Sequence, residues 1–233
     1  MKRVRFNYWK LTALVAVLAI TLIAGVRPST ATKQPALAAT ADLANEERAL
    51  AKYFDDLVTY HRQSAELAKR ASLVKADLDP LQRRSDDLKG GLSALQNVIR
   101  EIVVKLKKAN EWDDIDTTTA AKISDASHRS FFQQDSFKQL LEESSNNLSS
   151  HGNELSEPLD YLRKKVASRY GNGADLRIVR ATYEAPAPVF LHSLGCTIGR
   201  IHIGIIHKLG GNPDKATWDQ VLSACGIPGT PTN

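Results

Sequence analysis

An apolar seven-residue repeat runs through the first half of the chain and constrains its fold more than any other feature. With Leu43 at heptad position a, the register continues to Ala109 without a change of phase. Seventeen of the 20 a and d positions are hydrophobic, although this class makes up only 42% of the sequence; the exceptions are Glu46, Ser64 and Ser85. A seam of this length predicts long helices that each bury one face.

The seam does not have the pattern of a simple two-stranded zipper. Asp79-Pro80 interrupts it with a helix-start signal, and Gly90-Gly91 interrupts it a second time. Apolar residues also occupy flanking e and g positions, where a zipper prefers charge; these are Phe54, Ala68, Val98 and Val103. The wider stripe favours a helical bundle or hairpin over an extended rod. We expect the 43–109 stripe to bind a protein partner or a second copy of the chain.

The chain beyond the seam divides at a polar stretch. The acidic run at 111–116 lacks the ligand order of an EF-hand and predicts a solvated turn, followed by a helical segment at roughly 119–148. The Ser- and Asn-rich stretch at 144–153 is typical of a linker. These boundaries predict three parts: a leader with its stalk (1–38), a coiled-coil or helical-bundle region (39–150) and a small C-terminal module (151–233).

The C-terminal module is predicted to be helical, with α+β as the alternative. Apolar spacing predicts helices at about 154–170 and 213–225, the second capped by Asn212-Pro213, and an extended segment at 176–183 leads to a proline-rich connector at 185–188. The stretch 198–207 fits a strand by its alternating isoleucines and a helix by its wider spacing, and we favour the helix. Gly195 and Gly199 would then form a notch for a close helix contact. The predicted fold class is therefore mainly α.

The N-terminus carries an export signal. Four basic residues precede an apolar run at 11–26, and the run is 16 residues long, between the lengths of secretory and membrane-spanning segments. Small-x-small patterns at 29–31 and 36–38 favour a cleaved signal peptide, whereas Tyr8 and Trp9 favour an uncleaved anchor in the inner membrane. Both alternatives place residues 39–233 outside the cytoplasm, in the periplasm, in the cell envelope or in the medium.

The basic charge of the chain belongs to this leader. The formal net charge is +5, but the first 38 residues contain six basic residues and no acidic ones, so the remainder has 25 bases and 26 acids. A folded part without excess positive charge argues against nucleic acid as a partner. The charge therefore indicates topology rather than a ligand.

The chain has two cysteines, Cys196 and Cys225, which we expect to form a disulfide in an oxidising compartment. The rival interpretation is a small exported metal- or thiol-dependent enzyme. It would use His192 and Cys196, which share a helical face at a spacing of four, with a contribution from His202 or His207. No further ligand or catalytic motif completes such a site, so the sequence indicates no cofactor and favours binding over catalysis.

A basic cluster gives a third alternative. Arg163, Lys164 and Lys165 lie on a predicted helix, and Arg177 and Arg180 follow in the extended segment. Together these side chains could contact an anionic envelope polymer, although a solvated helix face carries the same pattern. From the sequence we therefore expect an exported or membrane-tethered helical interaction protein of the cell envelope.

Overall fold

The computed structural model of this chain describes residues 41–70, 72–170 and 193–227. The regular elements in these residues are all helices, which confirms the mainly α fold class. Two long helices contain the seam: α1 is Ala44–Lys69 and α2 is Asp79–Lys108, with a short 3-10 helix at Lys75–Leu78 before α2. Asp79 and Pro80 stand in the first turn of α2, so the helix-start signal is confirmed.

The two long helices form an antiparallel hairpin. Lys105 Nζ lies 2.8 Å from Glu46 Oε1 near one end, and farther along the pair the Tyr53 hydroxyl donates to the Leu88 carbonyl at 2.8 Å. The a positions of the seam that the structure describes are all buried, which confirms that the seam is the core-facing side of both helices. The hairpin, rather than a rod, is thus the correct alternative.

The predicted interruption at Gly90-Gly91 is wrong, because α2 continues through both glycines. Each glycine costs about 1 kcal/mol relative to alanine within a helix. The neighbouring Leu88 and Leu92 are buried in the core and offset this cost. Gly91 also makes room for a ring, since a methyl group there would lie 3.1 Å from Cε2 of Tyr53.

The single helix predicted at 119–148 is wrong as well. Three short helices replace it: α3 at Ile115–Ala120, α4 at Ala126–Phe132 and α5 at Phe137–Asn147. Asp125 accepts a hydrogen bond from the His128 amide and thereby starts α4, while Ser136 accepts from the Gln139 amide and starts α5. These N-caps begin new helices within a continuous apolar pattern.

The predicted linker at 144–153 is instead part of the packed structure. Residues 144–147 belong to α5, and Leu148–Ser156 forms a 3-10 helix whose Leu148 and Leu155 are buried. The Gln96 side chain, which is 5% exposed, bonds to the carbonyls of residues 145 and 146 and accepts from the Ser149 amide. The polar stretch 144–153 therefore lies at the surface, where hydrogen bonds to Gln96 hold it on α2.

Three helices complete the described chain. They are α6 at Glu157–Tyr170, α7 at Ser193–Lys208 and α8 at Lys215–Ala224. The stretch 198–207 is helical, as we expected, and α8 begins from Asp214 rather than Asn212, because the Asp214 carboxylate accepts from the Thr217 amide. The predicted extended segment 176–183 and connector 185–188 lie outside the described residues.

Helix α7 is the most buried of the helices that the structure describes, and it packs on α1, α5 and α8. Its glycines allow these close contacts. A methyl group at Gly199 would lie 2.8 Å from Cγ2 of Val221, and one at Gly195 would lie 3.5 Å from Cβ of Ala224. The expected glycine notch is therefore present, against α8.

One hydrophobic core joins residues on both sides of position 150. It includes Leu57 and Ile99 of the hairpin together with Leu162, Ile201 and Trp218. The division into domains at 150 and 151 stays a prediction. In the described residues the two sides share their buried surface.

Candidate functional site

The two cysteines form a disulfide in the structure, with Cα atoms 4.6 Å apart. Cys196 lies in the first half of α7 and Cys225 directly follows α8, so the bond ties the start of one helix to the end of the other. Neither sulfur is a thiol in this state. A site that needs the Cys196 thiolate would therefore first require reduction.

The two histidines of the rival site that the structure describes, His202 and His207, do not converge on Cys196. His202 faces α1, where its Nε2 lies 3.1 Å from Glu47 Oε1, whereas His207 packs near the Trp218 ring of α8. His192 lies outside the described residues. Within the described ranges, no group of three or more His, Cys, Asp or Glu side chains is arranged to hold a metal ion.

The predicted basic cluster is partly used inside the chain. Arg163 bonds to Asp160 at 3.1 Å and also to Gln82, and Lys165 donates to the carbonyl oxygens of Ala68 and Arg70 beyond the end of α1. Lys164 is exposed. Arg177 and Arg180 lie outside the described residues, so binding of an anionic polymer stays a prediction.

A hydroxyl, an imidazole and a carboxylate meet at the start of α7. Ser193 donates to Glu154, whose Oε1 lies 2.6 Å from Nδ1 of His151 and whose Oε2 accepts from the Leu194 amide at 2.9 Å. In a catalytic triad the hydroxyl and the carboxylate contact different ring nitrogens. Here the Ser193 oxygen and Glu154 both face Nδ1, the former at 3.5 Å. The cluster is thus a helix cap rather than a triad.

The charge of Glu154 fits this role. Burial raises its pKa, but hydrogen bonds from Ser193, Leu194 and His151 outweigh burial and leave the pKa below its usual value. An ionised carboxylate at a helix N-terminus also interacts favourably with the helix dipole. Glu154 therefore stabilises the start of α7 in its ionised form.

A cavity of about 560 Å³ lies beside α3, α4 and α5, and it includes two carboxylates. Asp116 accepts from the Ser136 hydroxyl and the Lys138 amide, and Asp135 pairs with the buried Arg200. Both acids are therefore already engaged. Their contacts hold the short helices in place and leave no unpaired carboxylate for a ligand.

A groove of about 500 Å³ between α1 and α2 has a different character. Its floor is apolar or small, formed by Tyr53, Leu88, Gly91, Ala94, Leu95 and Val98. Burial, together with Asp56, raises the pKa of Tyr53 well above its usual value, so its hydroxyl remains a donor to the Leu88 carbonyl. The floor is thus formed without an unsatisfied tyrosine hydroxyl.

Two cations and two anions line this groove: Lys52, Asp56, Arg84 and Asp87. Arg84 is partly exposed and the other three are exposed. Among the described residues, none of the four takes part in a side-chain hydrogen bond or an ion pair, in contrast to Glu46 and Lys105 nearby. The groove therefore combines an apolar floor with balanced charges that have no partner within the described part of the chain.

Sequence reasoning did not single out these four charges. Lys52 and Asp87 occupy heptad position c, and Asp56 and Arg84 occupy position g. Charged g positions are the residues that select partners in coiled coils, so a signal was available for two of them. The cap on α7 had no such signal, because Glu154 and Ser193 are 39 residues apart in the chain.

None of the helices in the described ranges is both long and apolar enough to cross a bilayer, and the apolar run 11–26 lies outside those ranges. Comparison of the chain with protein-family models, with curated proteins and with solved structures finds no match. The groove and the disulfide are thus the features on which a functional proposal can rest.

Proposed function

We propose that this chain is an exported helical protein that self-associates, with a second copy bound in the groove between α1 and α2. The observation that carries the proposal is the groove itself, whose apolar floor is lined by two cations and two anions without partners in the described part of the chain. The leader and the disulfide support export, since disulfides persist in oxidising compartments. The mechanism is binding rather than catalysis.

Most of the apolar stripe that predicts binding is used within the chain. Leu50, Leu57 and Ile99, for example, are fully buried in the core. The part of the stripe that reaches the groove consists of Tyr53 and Val98, with the edges of buried leucines. We therefore place the binding surface on the outer side of the hairpin and not on the seam itself.

The charge pattern favours a second copy as the occupant. In a two-fold symmetric interface the same surface of both copies is in contact, and residues away from the axis meet different residues of the other copy. A surface with equal numbers of opposite charges can therefore pair with itself. Lys52 and Arg84 of one copy can pair with Asp56 and Asp87 of the next. The small side chains of Ala94 and Gly91 allow close approach of a helix to the floor.

Charge reversal tests self-association directly. One variant combines Lys52→Glu with Arg84→Glu and makes the groove acidic; the other combines Asp56→Lys with Asp87→Lys and makes it basic. We expect the wild-type chain to form dimers by light scattering, each variant alone to be monomeric, and an equimolar mixture of the two to form a heterodimer, because like charges repel and opposite charges attract.

A matched control reverses two exposed cations outside the groove, with Lys108→Glu and Lys164→Glu. This variant should dimerise like the wild type, and circular dichroism should show unchanged helix content in all variants. A monomeric wild type, or dimers that persist in both groove variants, would contradict the proposal. A chain that stays monomeric and binds a different protein in the groove would also contradict the proposal, because the occupant would not be a second copy.

A further inference from the structure

His207 occupies an unusual position in the core. Its side chain lies in the last turn of α7 and is 1% exposed. Neither ring nitrogen makes a hydrogen bond of normal geometry among the described residues. Burial of such an imidazole disfavours its protonated form more than its neutral form, because a buried cation loses more hydration.

The groups around His207 make protonation still less favourable. Lys122, after α3, and His128 of α4 both act against a positive charge on the ring. The acids nearest in the chain are engaged elsewhere: Asp214 caps α8, and Asp219 lies 2.7 Å from Lys215 Nζ. In the described residues, His207 therefore faces two basic groups and no partner carboxylate.

Glu111 and Asp125 are the carboxylates on the neighbouring segments, and both have other partners. Glu111 Oε1 lies 3.1 Å from Lys208 Nζ, and Asp125 caps α4 through the His128 amide. Burial lowers the pKa of His207, and the backbone of Gly211, which acts in the opposite direction, does not outweigh it. The folded structure therefore favours the neutral form of the ring.

The first turn of α8 packs on this site through Trp218. The Trp218 ring is 3% exposed, stacks on the His128 ring at a centroid distance of 4.0 Å, and lies 6.1 Å from the ring of His207. A charge on His207 would thus arise directly between α7 and the beginning of α8. Helix α8 packs mainly on α7, so its movement would not open the hairpin.

The disulfide fixes the opposite end of α8. Cys225 follows the last residue of α8, and its bond to Cys196 holds that end against the first half of α7. Val221 also packs on Gly199 near this end. A force that separates α8 from α7 at Trp218 therefore acts on a helix that is tethered at its other end.

We infer that α8 is an acid-sensitive flap: protonation of His207 releases the Trp218 end of the helix, and the Cys196–Cys225 disulfide is its hinge. The sign follows from linkage. Because the folded structure favours neutral His207, the closed state is stable above the ordinary histidine pKa of 6.5 and loses stability as the pH falls below it. The flap would expose Trp218 and the apolar side of α7 that it covers.

Amide hydrogen exchange of the full chain at pH 7.5 and pH 5.5, corrected for intrinsic exchange rates, tests this inference. We expect protection of residues 215–224 to fall about tenfold at the lower pH relative to residues 137–147 of α5. The open state takes up a proton on His207 over about one pH unit, and each such unit changes the opening equilibrium about tenfold. His207→Gln and His207→Phe cannot be protonated and should remove the response. His202→Gln is the matched control, since His202 is buried on the same helix but faces α1, and the response of α8 should persist in it.

Equal corrected protection at both pH values, or a response that persists in both His207 variants, would overturn the inference. If both variants fail to fold, an NMR titration of the His207 ring in the wild type replaces them. Its midpoint is the pKa of the closed state, so it must lie at the pH where the loss of protection in α8 levels off, and a mismatch overturns the flap. Reduction of the disulfide should enlarge the opening at pH 5.5. An unchanged opening after reduction would show that the disulfide is not the hinge.

Discussion

Two helical glycines of this chain differ in the space around them. Gly204 of α7 lies against Phe137, and an added methyl group there would collide with the aromatic ring. Gly90 lies within α2, where an added methyl group would meet nothing within 4 Å. The same substitution should therefore change stability in opposite directions at the two positions.

We expect Gly204→Ala to destabilise the chain by about 1–3 kcal/mol, because Phe137 is 2% exposed and cannot move without disturbing the core. Gly90→Ala should stabilise it by about 1 kcal/mol, since alanine is the better helix former. Urea unfolding measures both. A gain in stability for Gly204→Ala would show that the close contact between α7 and α5 is not maintained in solution.

Glu154 gives a pH-dependent prediction. Its pKa is held below its usual value, so the stability that it contributes is present above the unfolded-state pKa of about 4.5 and is lost as the pH falls through the folded-state value. We expect Glu154→Ala to lower the free energy of unfolding by about 1 kcal/mol at pH 7, as other lost caps do. The difference from wild type should shrink below about pH 4.

The control for this cap is Glu143→Ala. Glu143 is an exposed carboxylate of α5 whose contact is with the Gln139 side chain. It should change stability by less than about 0.5 kcal/mol across the same range. A difference between Glu154→Ala and wild type that does not vary with pH would mean that the charge of Glu154 does not contribute to the cap.

At the scale of elements, the sequence predicted helices well where burial follows a period and poorly where polar residues have tertiary partners. The seam specifies α1 and α2 because its apolar positions recur at 3.5 residues, and both helices bury them. The Ser- and Asn-rich stretch at 144–153 has the composition of a linker, but Gln96, about 50 residues away, satisfies its backbone. Composition carries no information about such a partner, so the linker prediction failed.

Gln96 is therefore expected to hold the 3-10 helix Leu148–Ser156 on α2. Gln96→Leu keeps the size of the side chain but leaves two carbonyl groups and the Ser149 amide without this partner. We expect a loss of about 2 kcal/mol in the free energy of unfolding, the usual cost of buried unsatisfied groups. Hydrogen exchange at Ser149 should also increase.

Gln139→Leu provides the comparison, because Gln139 is exposed and its side chain bonds only to another exposed side chain among the described residues. Its effect should stay within about 0.5 kcal/mol. If Gln96→Leu is equally mild, the segment would be a linker in solution, as its composition suggests. The same limit applies to the candidate groove. The sequence shows its charged residues at heptad positions, but only the fold shows that they have no partners in the described part of the chain.

The whole molecule has one buried core in the residues described, and this leads to a prediction about truncation. A chain that ends at residue 156 lacks α6, α7 and α8 and exposes the sides of the hairpin that they cover, including Phe54 against Gly199. We expect this fragment to bind a hydrophobic dye and to unfold without a cooperative transition. A cooperative transition like that of the full chain would instead establish the 39–150 region as an independent domain.

The contact between α1 and α7 also sets the order of events during biosynthesis. Helix α1 begins at Ala44 and α7 ends at Lys208, so nearly the whole polypeptide must be synthesised before the core can close. Contacts between such distant segments form late, because the intervening chain must first lose entropy. The side of α1 that packs on α7 therefore stays uncovered until α7 has been synthesised. This delay is compatible with the export that we propose, because the cysteines would then be brought together only after translocation.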